Sequence, residues 1–350
     1  MKKNIIKILL ISVLTSTCAQ KKQDTNTANN ITKEMNGKII TADNFVEEAF
    51  KLVKRFPKEP KYFIRQAQGN CVYEILVNDK LMVKEYGIEQ YATPIDINTG
   101  ILKSGIQTVT VRLYPLGDAI KDAYGEGETV NTLLPKTQMN IQVVKYDAFN
   151  IDSSLDAEKE VITHNAPTNK DGKFKGAGLP YYEYNFTFEA EVPYELEGWS
   201  KGQDLTEFDK DELKTQVVEY YKRIQKIYET KDKDALARLI YGNYKRIFQA
   251  KYWTKQDVKE AWEESLQELD LEFFEFGNKS EYKDYDLQFY GNGKLVALKH
   301  PSIEPVDKRV RGKSGFWFKY VNGNRLKGYH IWYLLYLPEG EQLENLRVVD

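Results

Sequence analysis

Residues 182–192 read Tyr-Glu-Tyr-Asn-Phe-Thr-Phe-Glu-Ala-Glu-Val, and their alternation decides the fold class of the first half of the chain. In an extended backbone Tyr182, Tyr184, Phe186, Phe188, Ala190 and Val192 share one face, and Glu183, Asn185, Thr187, Glu189 and Glu191 share the other. Such a strand buries one face and wets the opposite one, which is the habit of antiparallel sheets. The same period of two occurs upstream. Cys71, Tyr73, Ile75 and Val77 lead to the turn pair Asn78-Asp79, after which the chain returns over 81–86. Val109, Val111 and Leu113 alternate with Thr108, Thr110 and Arg112. Runs of this kind, separated by Gly, Pro and Asn turns, predict an antiparallel β-sandwich over residues 70–200.

Working outward, the period changes to 3.6 at about residue 205. Asp209 caps a predicted helix with Glu212 three places on, and Leu213, Val217, Tyr220, Tyr221, Ile224 and Tyr228 line one side of it. Asp232 opens a second helix through Ala235, Leu236, Leu239 and Ile240. Thr254 with Asp257 opens a third, with Val258, Trp262, Leu266 and Leu269 inward. Two hairpins follow, one around Gly291-Asn292-Gly293 and one around Asn322-Gly323-Asn324, with the last strand spanning 329–337. Helices followed by an antiparallel meander predict an α+β domain over 205–350, and an α+β multidomain protein as a whole. Upstream of the sandwich, Phe45, Val46, Ala49, Phe50, Leu52, Val53 and Phe56 have helical spacing with Pro57 as a stop, so 41–69 reads as a helix and linker.

The run YKRIQKIYETKDKDALARLI, residues 221–240, resembles the opening of NTF2-like domains. It has an amphipathic helix, a short polar turn containing Asp, and a second helix with Ala-Leu-x-x-Leu spacing. A third helix and four strands in the order that follows also fit that family. The resemblance covers about 205–345 and implies a cone of helices on a curved sheet. NTF2-like enzymes place Asp and His pairs inside the cone; this sequence has no matching set, so no catalytic residue is carried over.

The first eighteen residues, MKKNIIKILLISVLTSTC, combine Lys2 and Lys3 with a short apolar run and a small-residue stretch ending in Cys18. About ten apolar residues are too few to cross a bilayer core that needs ~20, but they match a secretory signal. The ending resembles the lipobox of bacterial lipoproteins, with Thr15 and Thr17 where that motif favours Leu and a small Gly or Ala. The resemblance implies lipid attachment at Cys18, a flexible tether over 19–40, and export to the Gram-negative envelope, at the outer membrane. Taken whole, the chain resembles Bacteroidetes-type envelope lipoproteins. Composition is that of an ordinary globular protein, 41% hydrophobic and 29% charged. Its formal net charge of −2 becomes about −5 without the three lysines of residues 1–17, which argues against nucleic acid as a partner. With Cys18 acylated, Cys71 has no partner, so no disulfide framework is expected and Cys71 reads as a buried thiol.

No motif for a cofactor or metal survives inspection. Arg311-Gly312-Lys313-Ser314-Gly315 lacks the first glycine of a P-loop, because Asp307 stands there, and a strand of Phe and Trp follows. Asn169-Lys170-Asp171-Gly172 resembles a calcium loop but has Pro167 at the first ligand place. The histidines, His164, His300 and His330, are far apart, and no His or Cys pair has metal-ligand spacing. Glu189 and Glu191 share a uniformly polar face and read as solvated. Four residues remain as candidate binding groups. His330 shares a strand face with Trp332, Trp317 lies in the preceding aromatic strand, and Trp199 sits in the Gly-flanked loop at the domain junction. An exposed Trp199 would serve a partner, a buried one would plug the hinge. The expected function is a lipid-anchored, non-catalytic binding or scaffolding role towards a protein or glycan. The alternatives are an immunity lipoprotein against an antibacterial toxin and an NTF2-like hydrolase or isomerase.

Overall fold

A computed structural model of the chain describes residues 39–90, 93–148, 157–276, 285–300 and 312–349. Cys18, the predicted signal and the tether over 19–38 lie outside the described residues. The architecture is mixed, with helices and antiparallel sheets.

In chain order the described elements of the first half are α1 (Phe45–Phe50), β1 (Pro60–Gly69), β2 (Val72–Val77), β3 (Lys80–Glu85), β4 (Ile95–Asp96), β5 (Gly105–Tyr114), α2 (Ala119–Tyr124), β6 (Gln138–Asp147), β7 (Lys159–Asn165) and β8 (Tyr182–Ala190). The strands form two four-stranded antiparallel sheets, ordered β4-β1-β6-β7 and β3-β2-β5-β8. One core lies between them: Tyr62, Ile64, Ile141 and Val143 meet Tyr73, Ile75, Val111, Phe186 and Phe188. The β2–β3 hairpin turns on Asn78 and Asp79, both with positive φ (51° and 59°), the conformation a two-residue hairpin requires. Cys71 is buried and unpaired, and burial pushes its thiol up to about 12.

Two expectations for 41–69 need correction. The helix stops at Phe50 because the next residues are held elsewhere: the Lys54 backbone N–H donates to Gln249 Oε1 (2.7 Å) and its carbonyl accepts from Gln249 Nε2 (2.9 Å). The predicted linker ends in β1, which pairs along its whole length with β6. Its alternating Tyr62 and Ile64 are fully buried, and Arg65 on the opposite side is bidentate to Glu158. The short α1 packs with the helices of the second half, Phe45 stacking on Trp262 at 4.5 Å.

The second half contains α3 (Lys210–Thr230), α4 (Lys233–Lys251), α5 (Lys255–Asp270), β9 (Phe273–Phe276), β10 (Asp286–Tyr290), β11 (Leu295–Lys299), β12 (Phe316–Asn322), β13 (Arg325–Ile331), β14 (Leu335–Tyr336) and β15 (Arg347–Val348). Each long helix starts where its cap lies: Asp209 accepts from Asp211 and Glu212, Asp232 from Ala235, and Thr254 with Asp257 forms a capping box. Here the predicted strand over 329–337 is divided. β13 ends at Ile331, and the chain crosses to a second sheet because Tyr333 and Leu334 are buried in different clusters. The sheets are β10-β11-β14-β15 and β13-β12-β9.

β11 joins the halves. All five residues are buried, Val296 and Leu298 among the helices, Leu295 and Ala297 against Leu76 of β2. The outer face of the sheet β3-β2-β5-β8 is therefore covered at β2, while the outward residues of β8 stay exposed. Turn tips interlock as well: Gly291 N–H donates to the Asp79 carbonyl (2.8 Å) and Asn292 N–H to Asp79 Oδ2 (2.7 Å). On the other side of Trp199, buried Arg246 of α4 donates to the carbonyls of Thr99 (2.7 Å) and Val349 (2.8 Å).

Candidate functional site at the junction

Strand register builds the charged part of this site. Across β3, β2, β5 and β8 one rung pairs Lys84 with Glu74, Glu74 with Arg112 and Arg112 with Glu183. Residues opposite one another in a sheet lie on the same face, so the rung is a row of alternating charge. Glu74 is 1% exposed, because β11 closes over it. Lys299, the last residue of β11, places Nζ 3.3 Å from Glu74 Oε1, and Arg112 Nη1 lies 3.6 Å from Oε2. Tyr86 and Tyr114 also donate to this carboxylate, Tyr114 at 3.3 Å. Arg112 continues to Glu183 (2.9 Å) and Asp79 (3.8 Å).

Lys84 stands at the other end of the rung. Its Nζ lies 3.6 Å from the centroid of the Trp332 ring and donates to the carbonyl of Gly312. Gly312 has φ +61°, and a side chain there would overlap the Tyr86 ring, so only glycine lets this carbonyl reach the lysine. Trp332 meets Tyr290 edge to face at 6.3 Å, and Trp317 stacks on His330 at 5.2 Å, as cross-strand partners of β12 and β13.

The electrostatics follow from this crowding. Burial pushes Glu74 upward, yet Lys299, the Tyr86 hydroxyl and Arg112 outweigh it and hold the carboxyl below its ordinary value. Burial, then Lys299 and Lys313, pushes Lys84 down to about 7, and Glu74 opposes this only in part. His330 falls to about 4 through burial and the charges of Lys313 and Lys84, so its ring is neutral near neutral pH. Burial and Glu74 raise the Tyr86, Tyr114 and Tyr290 phenols, which keeps them protonated as donors.

Of the four candidate residues, the structure brings Trp317, His330 and Trp332 together on one side of the junction. Trp199 is 4% exposed, capped by Arg246 at 5.4 Å, and packed beneath the site with Tyr290 and Leu295. It is a buried indole of the junction and not a surface one. An open depression of about 620 Å³ lies over its loop, lined by Ser200, Gly202, Asp204 and Lys294, but the indole forms no part of the wall. Glu74, Lys84, Arg112 and Lys299 were not singled out from the sequence. One signal was present: Val72 and Leu76 flank Glu74 on the supposedly wet face of β2, which marks that face as covered.

His164 lies apart, stacked on Phe186 at 4.5 Å. Among the described residues no three His, Cys, Asp or Glu side chains are grouped to hold a metal ion, and no helix is long and apolar enough to cross a membrane. Comparison of the chain with protein-family models, with curated proteins and with solved structures finds no match.

Proposed function

We propose that this protein is held at a bacterial envelope membrane through a lipid on Cys18, and that its folded body is a non-catalytic binding module for a protein or glycan. In this reading the first pair of sheets is a β-sandwich and the second half an NTF2-like cone. The shared core of Tyr73, Val111 and Phe186 with Ile64 and Val143 supports the former. Three capped helices lying on antiparallel strands through Tyr221, Tyr228, Phe316 and Phe318 support the latter.

The observation that carries the binding role is an aromatic and basic stripe. His330, Gly328 and Leu326 alternate along β13 and so share a face, with Trp317 opposite His330 and Val321 opposite Leu326, and Trp332 follows just beyond the strand end beside Lys84. The stripe begins at the half-buried junction beside Lys84 and ends at an exposed apolar pair, Val321 and Leu326, on the hairpin tip. Flat rings beside cationic side chains offer apolar faces and donors together, which suits a sugar or a peptide. The charges acting on His330 are those of Lys313, Lys84 and His300, all bases.

Capture from envelope extracts by the full chain, compared with the Trp317→Ala and Leu326→Asp variants, tests the role. A specific protein or glycan retained by the parent and lost by the variants is expected; equal retention removes the stripe from consideration. For the anchor, Cys18→Ala should abolish labelled-lipid incorporation and release the protein, and unchanged membrane retention would sink the lipid reading.

A further inference from the structure

Among the described residues the junction around Lys84 has more donors and cations than acceptors. Glu74 already receives Lys299, Arg112, Tyr86 and Tyr114, and Arg112 is shared further with Glu183 and Asp79. Lys84 is left over: among the described residues no carboxylate lies within 4.0 Å of its Nζ, which rests on the Gly312 carbonyl and the Trp332 ring. Lys299 and Lys313 act on it with the same sign of charge. Around it three buried polar atoms have no hydrogen-bond partner: the hydroxyl of Tyr290, a residue 0% exposed, Trp332 Nε1 and His330 Nδ1. Two of these can only donate or, as a protonated phenol beside a carboxylate, donate best. A buried donor without an acceptor costs free energy, and a half-buried ammonium without a counter-ion costs more. Water would satisfy the hydroxyl and the indole but would leave the lysine charge uncompensated. The missing component is an acceptor with negative charge.

We infer that the junction receives a small oxyanion group, a carboxylate or a phosphate, with Lys84 as its counter-ion and the Tyr290 hydroxyl and Trp332 Nε1 as its donors. The group is the acidic part of whatever lies along the Trp332–His330–Trp317 stripe, so the inference rests on the binding role proposed for that face, though not on the lipid at Cys18. Its energetic signature follows from the lysine. Without the anion the folded chain disfavours the ammonium; with it the ammonium is restored, so binding takes up a proton near neutral pH.

Calorimetric titration of the full chain with inorganic phosphate and, separately, with glucuronate tests this, in two buffers of different ionisation enthalpy slightly above neutral pH. Saturable binding with proton uptake is expected for one or both, and the probe that saturates tells a phosphate site from a carboxylate site. Lys84→Met should weaken binding by about tenfold or more and remove the proton uptake. Tyr290→Phe keeps the shape of the core, guards against a variant that merely fails to fold, and should weaken binding several-fold. Saturation by neither probe overturns the inference, as does binding unchanged in Tyr290→Phe and in folded Lys84→Met. If anion binding holds while partner capture fails, the partner role falls and the oxyanion site stands.

Discussion

Glu74 shows how far a single residue depends on its surroundings. The carboxylate is buried and held by a lysine, an arginine and two phenols, so its replacement leaves Lys299 and Arg112 desolvated without compensation. Breaking a buried pair from one side costs about 3–5 kcal/mol, and Glu74→Gln should destabilise by that order in urea unfolding. Glu183→Gln, at the solvated end of the same rung, should cost about 1 kcal/mol or less; equal costs would mean that Glu74 is not desolvated in solution. Lys84 predicts a pH effect. It loses its proton at about 7 in the folded chain but near the ordinary 10.5 when unfolded. Between these values the unfolded chain binds more protons, so Lys84 makes stability rise with pH. Glu74 acts only in acid: its contribution is complete above 4.5 and is lost as pH falls through its lowered folded value. Unfolding followed upward from neutral pH should show the rise in the parent and a flatter profile in Lys84→Met. An unaltered slope would assign the effect elsewhere.

At the scale of elements, caps and turns act locally and were legible in order along the chain. Asp209, Asp232 and Thr254 start the helices at the positions their side chains indicate, since a cap needs only the next three residues. Asn78-Asp79 and Gly291-Asn292-Gly293 likewise mark their hairpins. What the letters did not reveal is that these two tips hold each other, across more than two hundred residues. Gly291 is confined twice over: φ is +61°, and a Cβ would stand 2.9 Å from the Trp199 indole. Gly291→Ala should therefore cost about 1–3 kcal/mol, by backbone strain and displacement of the indole, against about 1 kcal/mol for Thr254→Ala, which removes a cap alone. Thermal unfolding of the two variants ranks them, and a smaller loss for Gly291→Ala would mean that the indole can move aside.

The contacts that hold the two halves together include the Glu74–Lys299 network, the interlocked turns, Arg246 beside Trp199, the Lys54–Gln249 bonds and Asn98 Nδ2 on the Ala250 carbonyl. Because β2 is covered by β11 and α1 docks on the second half, the halves should lose structure together. Trp199→Ala removes the plug of the junction and should lower stability by about 3–5 kcal/mol. Hydrogen exchange would then show β6 and α5 losing protection in parallel; loss confined to α5 would mean that the halves open independently.

Sequence periodicity was enough for β2, β5 and β8, the three long helices, the hairpins and the buried Cys71, because each depends on neighbours within a few residues, whereas β1 was read as linker and β6 and β7 were not seen. It also carried Trp317, His330 and Trp332 to one region, since alternation along β13 and its pairing with β12 are local. The charged heart of the junction was beyond it. A carboxylate alternating with apolar residues in a strand reads as wet unless another layer covers that face. The layer here is β11, whose Lys299 meets Glu74 from 225 residues away. The same cover decided between the two readings of Trp199, an exposed indole or a buried one, in favour of burial. Burial of a sheet's second face is a property of how layers stack, so it was the packing of the two halves that made Glu74 and Lys84 a site.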